Sequence, residues 1–308
     1  MSFRGKILVI RGGAIGDFIL TLPALAALRR QFPQAKLEVL GYPHIIHLAV
    51  AGGLVDDVRS IDARPLAGFF ARNGTLAEEL RDYFSEFDLI VSYLYDPDQI
   101  FKTNIGRCSP AQFIAGPHRP DDTANVPAAK VFLQPLERLA IFEADPVPQL
   151  VLRGLDAPAS ATSQLVLHPG SGSEQKNWPE LQWAELLRRL VDFTGFNLLL
   201  VGGEAEGARL QRLAAQLPPT RVRVAQHLPL TELAGVLARS HGFVGHDSGI
   251  SHLAAAVGLP GVVLWGHTSE TVWRPPSERV VILKHPSGLE RLSVAEVLAQ
   301  VQAICAPV

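Results

Sequence analysis

The sequence predicts an α/β protein made of two doubly wound domains. Three observations carry this prediction. Short continuous apolar runs, beginning with Lys6-Ile7-Leu8-Val9-Ile10-Arg11, read as parallel strands buried on both faces. Stretches with helical apolar spacing alternate with them. The alternation then starts again after a proline- and glycine-bearing stretch between Phe142 and Ser163. The 308 residues suit two domains at ~150 residues each, expected as 1–150 and 151–308.

In the first half, the strand Lys6–Arg11 is followed by the turn Gly12-Gly13-Ala14-Ile15-Gly16-Asp17. A helix is expected over Phe18–Gln31, through Leu20, Leu22, Leu25 and Leu28, with Pro23 early enough to be tolerated. Leu37–Leu40 is the next strand. Helices are expected near His44–Ala51 and Thr75–Phe84, a strand near Leu89–Tyr93, and a longer helix over Ala128–Phe142. In the second half, strands are expected at Gln164–His168, Phe196–Val201, Arg221–Val224, the run ending at Val244, Gly261–Trp265 and Val280–Leu283. Helices are expected over Pro179–Val191, Glu204–Gln216, Leu230–Ala238 and Ser293–Cys305.

Composition narrows the function classes. At 47% hydrophobic and 19% charged, the chain can build sizeable cores and is not disordered. Its 28 basic and 30 acidic residues give no basic excess, which argues against nucleic acid as a partner. Cys108 and Cys305 have no metal-ligand spacing and suit a reduced, cytoplasmic chain. The start, Met1-Ser2-Phe3-Arg4-Gly5-Lys6, lacks the apolar segment of a signal peptide. No run of 18 or more apolar residues exists to span a membrane. Peripheral contact with a membrane surface stays open.

Three stretches carry candidate chemistry. The first is Val244-Gly245-His246-Asp247-Ser248-Gly249-Ile250-Ser251-His252-Leu253-Ala254-Ala255-Ala256. It passes from strand end to helix start, where unpaired N–H groups and a partial positive charge suit phosphate. Ser248 is a good N-cap type, Gly249 permits close backbone approach, and His252 lies one turn beyond Ser248. A capped helix with a solvated Asp and His accounts for the residues about as well. The second stretch is the turn with Gly13 and Asp17. It is not a dinucleotide fingerprint: Arg11 stands where the first glycine belongs, and the second strand ends in Leu40-Gly41-Tyr42 without a carboxylate. Asp17, at the junction of turn and helix, is placed to act as a base or merely to stabilise a helix start. The third is His168-Pro169-Gly170-Ser171-Gly172-Ser173-Glu174-Gln175-Lys176-Asn177-Trp178-Pro179. Its small residues free backbone N–H groups, and Lys176 adds a point charge. An ordinary surface loop would look the same.

Together, Gly16-Asp17-x-x-x-Thr21-x-Pro23, His168-Pro169-Gly170 with Lys176-x-Trp178-Pro179, and Asp247-Ser248-Gly249-x-x-His252-Leu253-Ala254-Ala255-Ala256 resemble glycosyltransferase family 9, the family of the ADP-heptose:lipopolysaccharide heptosyltransferases. The resemblance covers almost the whole chain, in order. It implies a GT-B fold, with two Rossmann-like doubly wound domains facing a cleft and a last helix returning to the first domain. It implies a nucleoside-diphosphate sugar donor, usually ADP-L-glycero-D-manno-heptose, bound mainly by the second domain. The acceptor it implies is a saccharide or lipid-linked saccharide, bound by the first. Transfer would invert the anomeric centre with neither metal nor cofactor. By the same resemblance Asp17 matches the catalytic base and Lys176 the phosphate-binding lysine, while Asp247, Ser248, Gly249 and His252 match sugar and diphosphate contacts. Glu206 falls near a ribose-binding carboxylate and Leu228 near an adenine-packing residue. Gly13, Ser171 and Ser173 complete the expected donor contacts. Members usually read Gly-Pro-Thr after the Trp265 strand, where this chain has Gly266-His267-Thr268. Lys102, Arg107, His118 and Arg119 are the nearest approach to a basic cluster in the first domain.

The implied chemistry is coherent. An acceptor hydroxyl needs a carboxylate to take its proton as it attacks. The departing diphosphate gains charge, which Lys176 and the helix start at Ser248-Gly249 are suited to meet. A family 9 enzyme with another donor sugar, a GT-B-shaped sugar-nucleotide epimerase and a catalytically silent binding module are the alternatives. Donor turnover without acceptor marks the epimerase.

Overall fold

The computed structural model describes residues 3–154, 163–203 and 206–305; residues 155–162 of the interdomain stretch lie outside them. The chain divides into two compact domains, Met1–Arg153 and Gly154–Val308.

The first domain runs β1 (Lys6–Arg11), α1 (Ile15–Ile19), α2 (Leu22–Gln31), β2 (Lys36–Gly41), α3 (Pro43–Ala51), β3 (Asp57–Ser60), α4 (Glu78–Ser85), β4 (Leu89–Ser92), α5 (Ile100–Gly106), β5 (Gln112–Ala115) and α6 (Ala128–Leu133). The sheet order is β3-β2-β1-β4-β5, all parallel. Strand order reverses between β1 and β4, so the carboxyl ends of these two strands flank the switch point where ligands bind in open α/β sheets. Leu8, Ile10, Leu40 and Ile90 of the strands build one core with Phe69, Phe84 and Phe101.

The second domain runs β6 (Gln164–His168), α7 (Glu180–Phe193), β7 (Asn197–Gly202), α8 (Gly207–Ala214), β8 (Val222–Gln226), α9 (Leu230–Ala238), β9 (Gly242–His246), α10 (Gly249–Ala256), β10 (Gly261–Leu264), α11 (Glu270–Trp273), β11 (Val280–Leu283) and α12 (Val294–Cys305). Its parallel sheet has the order β11-β10-β9-β6-β7-β8, with the switch point between β6 and β9. Trp178, Trp183, Leu186, Leu190, Leu200 and Val244 are buried in its core.

The structure departs from the sequence-based expectations in identifiable ways. The helix expected over Phe18–Gln31 is two helices. Pro23 has no N–H to bond the carbonyl of Ile19, and α1 ends at that residue. Thr21 spans the break, its hydroxyl donating to the Asp17 carbonyl at 2.8 Å. Pro135 likewise ends the Ala128–Phe142 helix at Leu133, after which a 3-10 turn covers Gln134–Leu139. The buried Val297 and Val301 of α12 belong to the core of the second domain. The apolar stripe on that helix matches the face formed by Leu165, Val244 and Val262. Among the described residues no helix is long and apolar enough to cross a membrane.

Candidate active site

In the second domain, His168 ends β6 and Asp247 follows directly on β9, so both stand at the switch point. The turn after β6 is tight. A Cβ on Gly170 would come within 2.1 Å of the Glu206 side chain, so only glycine lets the turn run beside that carboxylate. Glu206 accepts the Gly203 N–H at 2.9 Å. Arg209 on α8 also holds the turn, donating to the Pro169 carbonyl at 3.2 Å and to Glu174 at 2.6 Å.

This turn delivers Lys176 to Asp247, with Nζ 2.7 Å from Oδ2. The hydroxyl of Thr268 donates to the same oxygen at 2.6 Å. The Asp247 side chain is 9% exposed and that of Lys176 29%. A carboxylate so buried must be paired, and Lys176 and Thr268 provide that pairing. Ser248 holds the N-cap position of α10 in an extended conformation, but its side chain makes no capping bond. Its hydroxyl lies 3.4 Å from Nδ1 of His168 instead. The capping role expected for Ser248 is therefore not what its side chain does. The first two amides of α10, those of Gly249 and Ile250, have no carbonyl within the helix to bond, whereas that of Ser251 donates to the Ser248 carbonyl at 3.1 Å. His252 is buried on the same helix.

Two buried imidazoles support this arrangement. Nδ1 of His246 faces the Gly170 carbonyl at 3.2 Å, and Nε2 accepts the Trp178 N–H at 2.8 Å. A carbonyl can only accept, so the proton of His246 sits on Nδ1. Burial lowers the pKa of His246 to about 3, against the favourable pull of the Gly170 carbonyl. Burial lowers that of His168 to about 4, with Glu206 pulling the other way.

The other expected donor residues of the second domain are less engaged. Ser171 Oγ lies 2.9 Å from the Ser173 carbonyl and 2.7 Å from Asn177 Oδ1, which ties it to its own loop. Ser173 is exposed, and Leu228 is half-buried between β8 and α9. Sequence reasoning gave Thr268 and Arg209 no part. Thr268 lies 21 residues from Asp247 in a loop with no strand or helix signal, and Arg209 is one of several arginines on helices.

In the first domain, Gly13 has φ +101°, and a Cβ there would approach Asp17 Oδ2 to 3.0 Å. Asp17 is the third residue of α1, and its Oδ2 accepts the Ala14 N–H at 3.1 Å. The helix-start role is thus present whatever else Asp17 does. Arg11, the last residue of β1, lies beside it with Nη2 3.5 Å from Asp17 Oδ1. Gly13 belongs to this domain, whereas the other expected donor residues belong to the second. Of the basic residues noted in this domain, Lys102 and His118 line a cavity of about 440 Å³ with Tyr95 and Asp96. Arg107 bonds the Gly74 carbonyl, and Arg119 pairs with Asp122.

The histidines carry a pH signature. Folded, both stay neutral; unfolded, each takes a proton below about pH 6.5. Stability is fully present above that pH and falls as pH drops toward the folded values of about 4 and about 3. The slope should approach on the order of 2–3 kcal/mol per pH unit between about pH 6 and 4.5. All four tryptophans lie in the second domain, so urea unfolding followed by tryptophan fluorescence reads it selectively. A midpoint that stays flat across that range would contradict neutral burial of His168 and His246.

Comparison with known proteins gives the family and the fold. Residues 148–296 match the model of glycosyltransferase family 9 (heptosyltransferase). The chain is 30% identical over 294 residues to lipopolysaccharide heptosyltransferase 1 of Pseudomonas aeruginosa, covering 86% of this chain and 79% of that one. Its fold is similar to that of Escherichia coli ADP-heptose lipopolysaccharide heptosyltransferase II, with a TM-score of 0.76 and 20% identity over 97% of this chain and 98% of that one. It is also similar to Escherichia coli heptosyltransferase WaaC solved with ADP-2-deoxy-2-fluoro heptose, with a TM-score of 0.74 and 21% identity over 97% and 99%. The two parallel α/β domains are those of a GT-B fold. On the sequence match along most of its length, the chain belongs to glycosyltransferase family 9, the heptosyltransferases.

Proposed function

We propose that the chain transfers heptose from ADP-heptose to a saccharide of the lipopolysaccharide core or a related lipid-linked saccharide, with inversion and without a metal. The observation that carries this reading is the convergence of Lys176, Asp247 and the start of α10 at the switch point of the second domain. An ammonium beside a helix start is a preorganised receptor for a diphosphate. The P. aeruginosa relative is a lipopolysaccharide heptosyltransferase, and one E. coli structure holds an ADP-heptose analogue. Both support this choice of donor and acceptor.

In the proposed reaction, the acceptor oxygen attacks the anomeric carbon as the bond to the diphosphate oxygen breaks. Asp17 takes the hydroxyl proton. Charge developing on the departing ADP is met by Lys176 and by the first amides of α10, with Ser248 and His252 beside them. Asp247, held by Lys176 and Thr268, is assigned to the sugar, Glu206 to the ribose and Leu228 to the adenine face. A cation is not required in this scheme, because the lysine and the backbone amides do its work.

Lys176→Ala should weaken ADP binding by about 1.5–3 kcal/mol, the scale of a charge-assisted hydrogen bond. Calorimetry with ADP decides it, and parent-like affinity would remove Lys176 from the site. Turnover of ADP-heptose should also survive exhaustive dialysis against EDTA. Loss of turnover that returns with Mg²⁺ or Fe²⁺ would replace this scheme with a metal-assisted one.

A further inference from the structure

Arg11 is an unusual strand ending. Its side chain is 2% exposed, between β1 and the rings of Phe132 and Tyr93, with the guanidinium carbon 4.4 Å and 5.8 Å from their centroids. Nη1 donates to the His118 carbonyl at 2.8 Å. Nη2 donates to the Asp17 carbonyl at 3.3 Å and lies 3.5 Å from Oδ1 of the same residue. The buried Nε has no hydrogen-bond partner among the described residues. Burial lowers the pKa of Arg11, while Asp17 and then Tyr93 raise it. Guanidinium nevertheless keeps its charge in proteins.

As a structural element this is poor value. A buried cation with an unsatisfied N–H is costly, and an apolar side chain of similar volume often serves a core as well or better. What the fork does achieve is geometric. Asp17 Oδ2 is tied to the Ala14 N–H, and its backbone carbonyl takes both Thr21 Oγ1 and Arg11 Nη2. Oδ1 faces Arg11 Nη2. One carboxylate oxygen is thus hydrogen-bonded to a backbone amide and the other is ion-paired with a buried guanidinium. Removing Arg11 leaves the carboxylate held on one side only.

We propose that Arg11 is a positioning residue that fixes the orientation of the Asp17 carboxylate for proton abstraction. The proposal rests on the reading of Asp17 as the base. Arg11 is itself fixed by three separate elements: the Phe132 ring of α6, the Tyr93 ring after β4 and the His118 carbonyl after β5. It therefore transmits the rigidity of the sheet to a carboxylate on a helix of only five residues.

The test is a double-mutant cycle on kcat, using ADP-heptose and lipopolysaccharide from which the core heptose is missing. Arg11→Met should lower kcat roughly 10–100-fold, the cost of a misplaced group, with little change in the KM for donor. In the Asp17→Asn background the same substitution should change the residual rate less than about twofold, because residues that act as a unit are non-additive. Arg11→Lys, which keeps a cation over the two rings and loses the fork, stands in if Arg11→Met does not fold. It should lose less rate, again only when Asp17 is present. An equal loss in both backgrounds would make Arg11 structural and overturn the proposal. Parent-like kcat in Arg11→Met, with Asp17→Asn impaired, would overturn it while sparing the base. Parent-like turnover in Asp17→Asn would instead remove the base itself. A crystal structure of the Arg11 variant decides the geometry without substrate. The carboxylate is expected to leave its parent rotamer, and an unmoved Asp17 would overturn the proposal.

Discussion

A carboxylate buried at the end of a strand governs the second domain. Asp247 is almost wholly removed from water, and an ionised group there is tolerated only with partners in place. Lys176 is one of them, and it comes from the far end of the turn after β6. Along its length that turn is held by the close approach of Gly170 to Glu206, by the Arg209 bond to the Pro169 carbonyl and by the Trp178 N–H bonded to His246. The imidazole of His246 joins the turn to β9 through both ring nitrogens, and its neutrality is what makes that joint possible. The position of Lys176, and with it the proposed hold on a diphosphate, depends on this chain of contacts.

The first domain solves a related problem differently. There the partly exposed group is the carboxylate of Asp17 and the buried one is the cation, Arg11. The guanidinium sits between aromatic rings that face it with their negative surfaces, an arrangement that offsets part of its lost hydration. Both pairs stand beside the reversal of strand order in their own sheet. In such sheets the adjoining connections depart to opposite faces and leave room for a ligand.

Much of this was legible in the sequence. Interior strands such as β1, β7 and β10 are built on continuous apolar runs, the pattern that burial on both faces favours. The edge strands β3 and β5 were not read, because Asp57-Val58-Arg59-Ser60 and Gln112-Phe113-Ile114-Ala115 are short and half polar, as exposed edges require. Pro23 lies early enough in its apolar stretch to look tolerable, and Pro135 lies inside the Ala128–Phe142 stretch; in the structure each marks the end of a helix. At the site, the strand-to-helix turn and the lysine loop were readable from residue types in series. Thr268, Arg209 and Arg11 were not, since their roles depend on partners far away in sequence. Arg11 is six residues from Asp17 yet 107 from His118, and only the fold reveals that one side chain joins them. Ser248 was misread for the same reason: its hydroxyl turns to His168, 80 residues away, rather than to its own helix.

The central claim is that the Asp17 carboxylate takes the acceptor proton while the second domain holds the donor. Asp17→Asn tests it most directly. Asparagine keeps the size of the side chain and can still accept the Ala14 N–H, so the helix start survives, but it cannot take up a proton. The account predicts a folded protein with parent-like ADP affinity, some thermal stability lost with the countercharge of Arg11, and turnover lowered by about 10²–10⁴-fold. A variant that transfers sugar at near the parent rate would contradict it.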